Sequence, residues 1–173
     1  GIRFFLNTLL NTAQDSGIFV SDSNTFMNPA GLSDTLRQRL IYTNIHSDDI
    51  PSGELRGQLL GEAQNYFYAP LSGASEVPPV NTTGFGNIAL EWRSGSVLAS
   101  GSMNELETPF DPNVAGGSHI HDALAGRNSG IAFFLVPDLT SDSLGGRFFP
   151  STNQFVFSAG ATDTLLDRGY YVN

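Results

Sequence analysis

Cysteine is absent from the 173-residue chain, and so is lysine. The first absence excludes a disulfide scaffold, thiol chemistry and any cysteine zinc site. The second leaves eight basic residues, all Arg, against 17 acidic ones, for a net charge of −9. The basic footprint that nucleic acid requires is missing, so no nucleic-acid partner is expected. Charge of either sign is scarce, at 14% of residues, against about 25% in an average soluble domain. The polar surface therefore falls to Ser, Thr, Asn and Gly. No run approaches the ~18 apolar residues of a membrane span. No secretory leader is visible and the sequence opens on Gly1 rather than Met, which reads as a processed or cropped product. Catalytic motifs are missing too. There is no Gly-x-Ser-x-Gly and no phosphate loop. Ser118 precedes His119, but a sequence neighbour is not a triad. No enzyme is expected.

What the chain does have is an internal repeat. Residues 1–44 align without a gap on residues 130–173, at an offset of 129, with 18 identities. They include Phe4/Phe133, Phe5/Phe134, Leu6/Leu135, Phe19/Phe148, Phe26/Phe155, Leu36/Leu165, Arg39/Arg168, Tyr42/Tyr171 and Asn44/Asn173. Composition alone would give roughly three. One period is one ordinary domain in size. The expected division is 1–62, the C-terminal half of one repeat, and 63–173, the N-terminal two-thirds of the next.

Hydrophobic residues make up 40% of the chain, enough for a core. Short segments rich in Phe, Tyr, Val and Ile, such as "GIRFFLNTLL", "NTFMN", "LIYTNIH", "ELRGQLL" and "GNIALEWR", are bounded by Gly, Pro, Asn, Asp or Ser and read as strands. "NIALEWRSGSVLASGSM" reads as a hairpin turning near Ser94-Gly95. "YTNIHSDDIPSGELRGQL" reads as another, with Pro51 outside the ladder. Helical turns are expected only at "SDTLRQRL" and "TDTLLDRG", capped by Ser33 and Thr162. The pattern predicts an all-β fold: an antiparallel β-sandwich of Greek-key or immunoglobulin-like type, with one or two short helical turns per repeat.

Three blocks carry a family resemblance. They are "LSGASEVPPV" at 71–80, "GSHIHDALAGRNSGIAFFL" at 117–135, and "YTNIH" followed by "GELRGQL" at 53–59. Together they resemble the chordin-type (CHRD) domain, in the right cyclic order but cut out of register. The resemblance implies a β-sandwich, usually extracellular or at the cell surface, often in tandem, with binding or matrix roles and no established catalytic activity.

His119 and His121, at i and i+2, point to one face of a strand. That spacing suits two imidazole ligands of one metal ion. His46 is the other histidine, and its equivalent in a complete repeat follows Asn173 by two residues. Three imidazoles would make a copper or zinc site; the bland alternative is a set of packed, hydrogen-bonded histidines. Glu54 and Arg56 share a face and are candidates for an ion pair with each other, with Glu76 or with Arg39. Asp48, Asp49, Asp111 and Asp122 lie in turn-like sequence without calcium-loop spacing. Asn81 opens the glycosylation sequon Asn-Thr-Thr.

The second copy stops at "YYVN" where the first runs on into "IHSDDIPSGELRGQL". A strand over Tyr170, Tyr171, Val172 and Asn173 then lacks a hairpin partner, and an unpaired edge is sticky. Residues Glu54, Leu55, Arg56, Gln58 and Leu59 are the matching piece. Three sources are open: a longer chain, residues 45–62 of the same chain folding back, or residues 45–62 of another copy adding a strand. The expected function is structural, a repeat unit of a tandem array or head-to-tail filament whose partners are neighbouring copies of itself. The alternative is a secreted module that sequesters a metal ion or a protein factor.

Overall fold

The computed structural model describes residues 2–27, 29–93, 95–156 and 161–173, with residues 161 and 162 described by their backbone only. Ser94 and the Thr162 side chain, expected at a turn and a cap, lie outside the described residues. The chain forms two compact units, Gly1–Asp34 and Thr35–Asn173.

The first unit holds a small hairpin, β1 (Thr8–Leu10) with β2 (Gly17–Phe19). It also holds a single 3-10 turn at Ser21–Ser23. Asn24 braces it, accepting from the Asn7 amide at 2.7 Å and donating to the carbonyls of Asn7 and Val20. The short helix α1 (Leu32–Arg37) begins there. It starts one residue before Ser33, so Ser33 lies inside the first turn and not at the cap position expected for it.

The second unit opens on another hairpin, β3 (Tyr42–Ile45) with β4 (Leu55–Gln58). Pro51 stays in its loop, outside the ladder. Gly53 there has φ +121°, and the Asn44 side chain fills the space a Cβ would need. The remaining strands are β5 (Asn65–Ser72), β6 (Phe85–Arg93), β7 (Ser96–Asn104), β8 (His119–Asp122), β9 (Ile131–Phe134), β10 (Pro137–Leu139), β11 (Gly146–Phe148), β12 (Gln154–Val156) and β13 (Tyr170–Val172). Helix α2 (Ala161–Leu166) precedes β13. Every pairing is antiparallel. One sheet runs β10-β11-β7-β6-β5, with β12 also on β7; another runs β13-β8-β9. β6 and β7 join through a two-residue loop in which Gly95 takes φ +87°, the left-handed geometry such hairpins need. The observed fold is an all-β antiparallel sandwich with two short α-helices.

The core lies between the two sheets. Ile88 and Leu90 of β6, Val97 and Ala99 of β7, and Ile120 of β8 are buried, with Leu135, Phe148 and Leu165. Asn153, fully buried, clamps the chain leaving β9. It accepts from the Val136 amide at 2.7 Å and donates to the carbonyls of Val136 and Phe149. This is the Asn24 arrangement again, 129 residues on.

The correspondence is general. β1–β2 and β10–β11 have the same register at that offset. α1 matches α2 residue for residue, and Arg39 and Arg168 both take φ 58°. The Phe4–Phe26 ring pair, 4.7 Å apart, reappears as Phe133–Phe155 at 5.0 Å. Two elements do not match. Residues 2–5 and 25–27 form no strand, so "NTFMN" departs from expectation. Their counterparts β9 and β12 pair with β8 and β7. Local pairs therefore form in both copies; strands that need the body at 63–129 form only in the second.

Burial follows the same division. Leu135, Phe148 and Leu165 are 1%, 3% and 4% exposed; their counterparts Leu6, Phe19 and Leu36 are 42%, 47% and 38% exposed. Full burial of such a side chain is worth about 1.5–3 kcal/mol.

Arg39 has a different partner from the one expected. Its guanidinium pairs with Glu91, Nη2 donating to Oε2 at 2.6 Å, and Arg93 donates to the same oxygen at 2.7 Å. Glu91 is fully buried and the Arg39 side chain 7% exposed. Gly61 sits against this cluster, so that a Cβ there would collide with the Arg93 guanidinium. Burial alone pushes the Glu91 carboxyl up, but Arg39 and then Arg93 outweigh it and hold it below the usual range. Removing one member of a buried ion cluster strands the others. Glu91→Gln is expected to lower the unfolding free energy by about 3–5 kcal/mol in denaturant melts at neutral pH. A loss under about 1 kcal/mol is what an exposed pair would show, and would contradict a buried cluster.

Candidate functional site

β8 carries the sequence His119-Ile120-His121 into the middle of the three-stranded sheet. Ile120 turns into the core at 1% exposure. His119 and His121 turn to the opposite face, yet are only 7% and 8% exposed. Tyr171 covers them from β13. It lies directly opposite His121 and stacks on it, with ring centroids 4.6 Å apart. Phe134 of β9 meets His119 edge-on. The two imidazoles contact each other at a centroid distance of 4.5 Å, nearly perpendicular. The Gly-rich approach to β8 is required by geometry: Gly117 has φ +81°, and the Phe110 ring fills the space of its absent side chain.

The hydrogen bonds of the pair are lopsided. His121 Nδ1–H donates to the carbonyls of Ser129 and Gly130, at 2.9 and 3.2 Å, so Nε2 carries the lone pair. That Nε2 is buried without a hydrogen-bond partner among the described residues. The Nδ1 of His119 is likewise buried and without a partner among the described residues. Burial and then the neighbouring His121 push the His119 imidazole below its ordinary range, against a smaller upward pull from Ala115 and Glu76. Glu76 belongs to the segment after the 3-10 turn Gly73–Ser75, whose Val77 carbonyl accepts from Asn128 at 3.3 Å. Two of the resembling blocks, at 71–80 and 117–135, thus meet at the histidines.

The second feature is the edge of β13. His119 and Asn173 exchange both backbone bonds, at 2.7 and 2.9 Å. In an antiparallel ladder that alternation turns the N–H and C=O of Val172 away from β8. Among the described residues β13 pairs with no second strand. A groove of about 460 Å³ lies there, lined by Tyr66, Tyr68, Leu90, Ile120, Arg168 and Val172 among others.

β3 shows the converse. It is the counterpart of β13, pairs with β4, and has no partner at its other edge among the described residues. Leu55 and Leu59 are 60% and 42% exposed. Glu54 is exposed beside them. Arg56 lays its guanidinium over the Tyr42 ring, 3.5 Å from the centroid. Gln58 donates from its side-chain amide to the carbonyls of Arg39 and Ile41. β4 does not fold back onto β13. His46 is exposed, with Nδ1 on the Pro51 carbonyl at 2.8 Å and Nε2 on the Asn44 amide at 3.2 Å. It is not brought to His119 and His121: among the described residues no group of three His, Cys, Asp or Glu is placed to hold a metal ion. Asn81 is exposed in a loop.

Sequence reasoning passed over Glu91 and Arg93, whose i, i+2 placement on the apolar strand β6 was the available signal. It passed over the Tyr171 stack, and also over Asn153, which the repeat keeps as Asn24.

The family model of the CHRD domain matches residues 67–173. The chain belongs to the CHRD domain family. That family consists of non-catalytic, extracellular-type modules. No curated protein and no solved structure matches the chain. The matched span of this CHRD protein covers both histidines, the groove and β13, whereas the β3–β4 hairpin precedes it. Among the described residues no helix is long and apolar enough to cross a membrane.

The buried His119 gives a pH dependence of definite sign. Its folded pKa is lowered from 6.5, so the unfolded chain binds the proton more readily. Stability is therefore full above about pH 6.5 and is lost as pH falls below it. His119→Asn is expected to flatten the slope between pH 7.5 and 5.5 in urea midpoints. An unchanged slope would contradict the buried, neutral imidazole.

Proposed function

We propose that this CHRD protein is a structural module of a head-to-tail array at the cell surface or outside the cell, in which each repeat is completed by strands of its neighbour. The observation that carries the reading is the complementarity of β3 and β13. Among the described residues β13 pairs with β8 and not with a β4, and β3 pairs with β4 and not with a β8. Superimposed at the 129-residue offset, they are one strand, and the sheet of a whole repeat runs β9-β8-β13-β4.

The apolar faces agree with it. Leu6, Phe19 and Leu36 are the side chains that a body like 63–129 covers in the second copy. A body of that kind from a neighbouring copy would cover them, and a strand like Leu55–Gln58 from a neighbouring copy would pair with β13. Both contacts are heterologous, so they propagate in one direction instead of closing on themselves. Strand addition supplies affinity through main-chain bonds and specificity through alternate side chains.

Val172→Pro tests the edge selectively. It removes an N–H that faces away from β8, and an extended Tyr171 accommodates a following proline. Wild-type protein is expected to grow with concentration in light scattering and to form linear particles in electron micrographs. The V172P protein is expected to stay small with a melting temperature within a few degrees of wild type. A wild-type particle that stays monomeric at all concentrations, with residues 1–44 protected from protease, would overturn the reading.

A further inference from the structure

Four buried side-chain nitrogens have no hydrogen-bond partner among the described residues, Trp92 Nε1, Arg93 Nε, His119 Nδ1 and His121 Nε2, and of these only the two histidine nitrogens can act as metal ligands. A buried polar atom left unsatisfied costs about 1–3 kcal/mol, and here two belong to rings whose centroids are 4.5 Å apart. Each histidine leaves one buried nitrogen without a partner, and His121 is fixed by Nδ1–H to Ser129 and Gly130. Metal-bound histidines are held in this way, one nitrogen fixed by a carbonyl and the other on the ion. Structural packing alone would more cheaply place a donor against each lone pair.

We propose that His119 and His121 are two ligands of a zinc- or copper-class metal site whose third imidazole, of the His46 type, arrives with the closing strand. Neutral imidazole suits both ions. The inference rests on the strand-completion reading. The register sets the third ligand. Asn173 pairs with His119, and Asn173 is the counterpart of Asn44. A histidine two residues further along the same strand falls on the face of His119 and His121, diagonal to His119. Diagonal neighbours are about 7–8 Å apart at the backbone, within reach of long side chains. His46 stands at that position after Asn44, and in the hairpin β3–β4 it is exposed and held only by local bonds.

The metal would couple to assembly. An ion that binds three imidazoles in the closed state and two in the open state favours closure, because binding one state stabilises it by mass action.

The test uses untagged full-length chain stripped with chelator, titrated with Zn²⁺ or Cu²⁺ by calorimetry, with size followed by light scattering. Assembled wild type is expected to take one ion per chain, and X-ray absorption is expected to count three imidazole ligands. His46→Gln, an exposed substitution, is expected to assemble without metal but to bind more than about tenfold more weakly, beyond the lower bound typical of losing an outer-shell partner. Val172→Pro is expected to bind as weakly as His46→Gln, and His121→Gln to lose stoichiometric binding. Assembled wild type that takes neither ion overturns this inference and leaves strand completion standing. The inference also fails if X-ray absorption finds no histidine pair on the ion, or if His46→Gln binds as tightly as wild type. A wild type that never assembles overturns strand completion itself, and with it the third ligand.

Discussion

The edge of β13, which pairs with no second strand among the described residues, is the constraint on which the rest turns. Backbone N–H and C=O groups beside a core need partners, and β13 lies between a full ladder to β8 and an open groove. The groove runs along the flank of the sandwich, with Val172 and the exposed rings of Tyr66 and Tyr68 along its walls. A strand laid into it would satisfy the free main-chain groups and cover that apolar flank at once. Fibrous assemblies by strand addition draw on the same two terms.

The two copies of the 44-residue segment act as an internal control. They share 18 residues and one hairpin register, and they differ in surroundings. Where the pairing is local, as in β1–β2 and in the Asn24 and Asn153 braces, both copies fold alike. Where a strand depends on the body at 63–129, only the second copy has it. Leu6 and Leu135 occupy the same place in the pattern, and only one of them is buried. The same sequence thus yields a surface or a core according to what lies against it.

Much of the fold was legible in the sequence because it is set by short-range chemistry. The Gly95 turn, the loop around Pro51, the two short helices and the adjacency of His119 and His121 all follow from spacing and backbone preference. The CHRD assignment rested on three blocks, and two of them converge at the histidines. Less legible were features made by long-range contact. Arg39 was matched to Glu54 in the sequence, and only the packing on β6 selects Glu91, 52 residues away. The empty nitrogens of the histidine pair depend on which carbonyls happen to lie at Ser129 and Gly130. No periodicity announces that. His46 stays with its own hairpin, because β3 pairs with β4 locally.

The claim that β13 is closed by the β4 strand of a neighbour can be tested through the missing cysteines. If β13 takes the place of β3, Val172 stands opposite Gly57, as Thr43 does in the hairpin, and directly opposite positions suit a disulfide. A Cβ at Gly57 meets nothing within 4 Å. Single variants Val172→Cys and Gly57→Cys, mixed and gently oxidised, should give a disulfide-linked pair containing one chain of each, well above the yield from either variant alone. A mixture that yields no such pair, while the double variant closes only within single chains, would contradict the account.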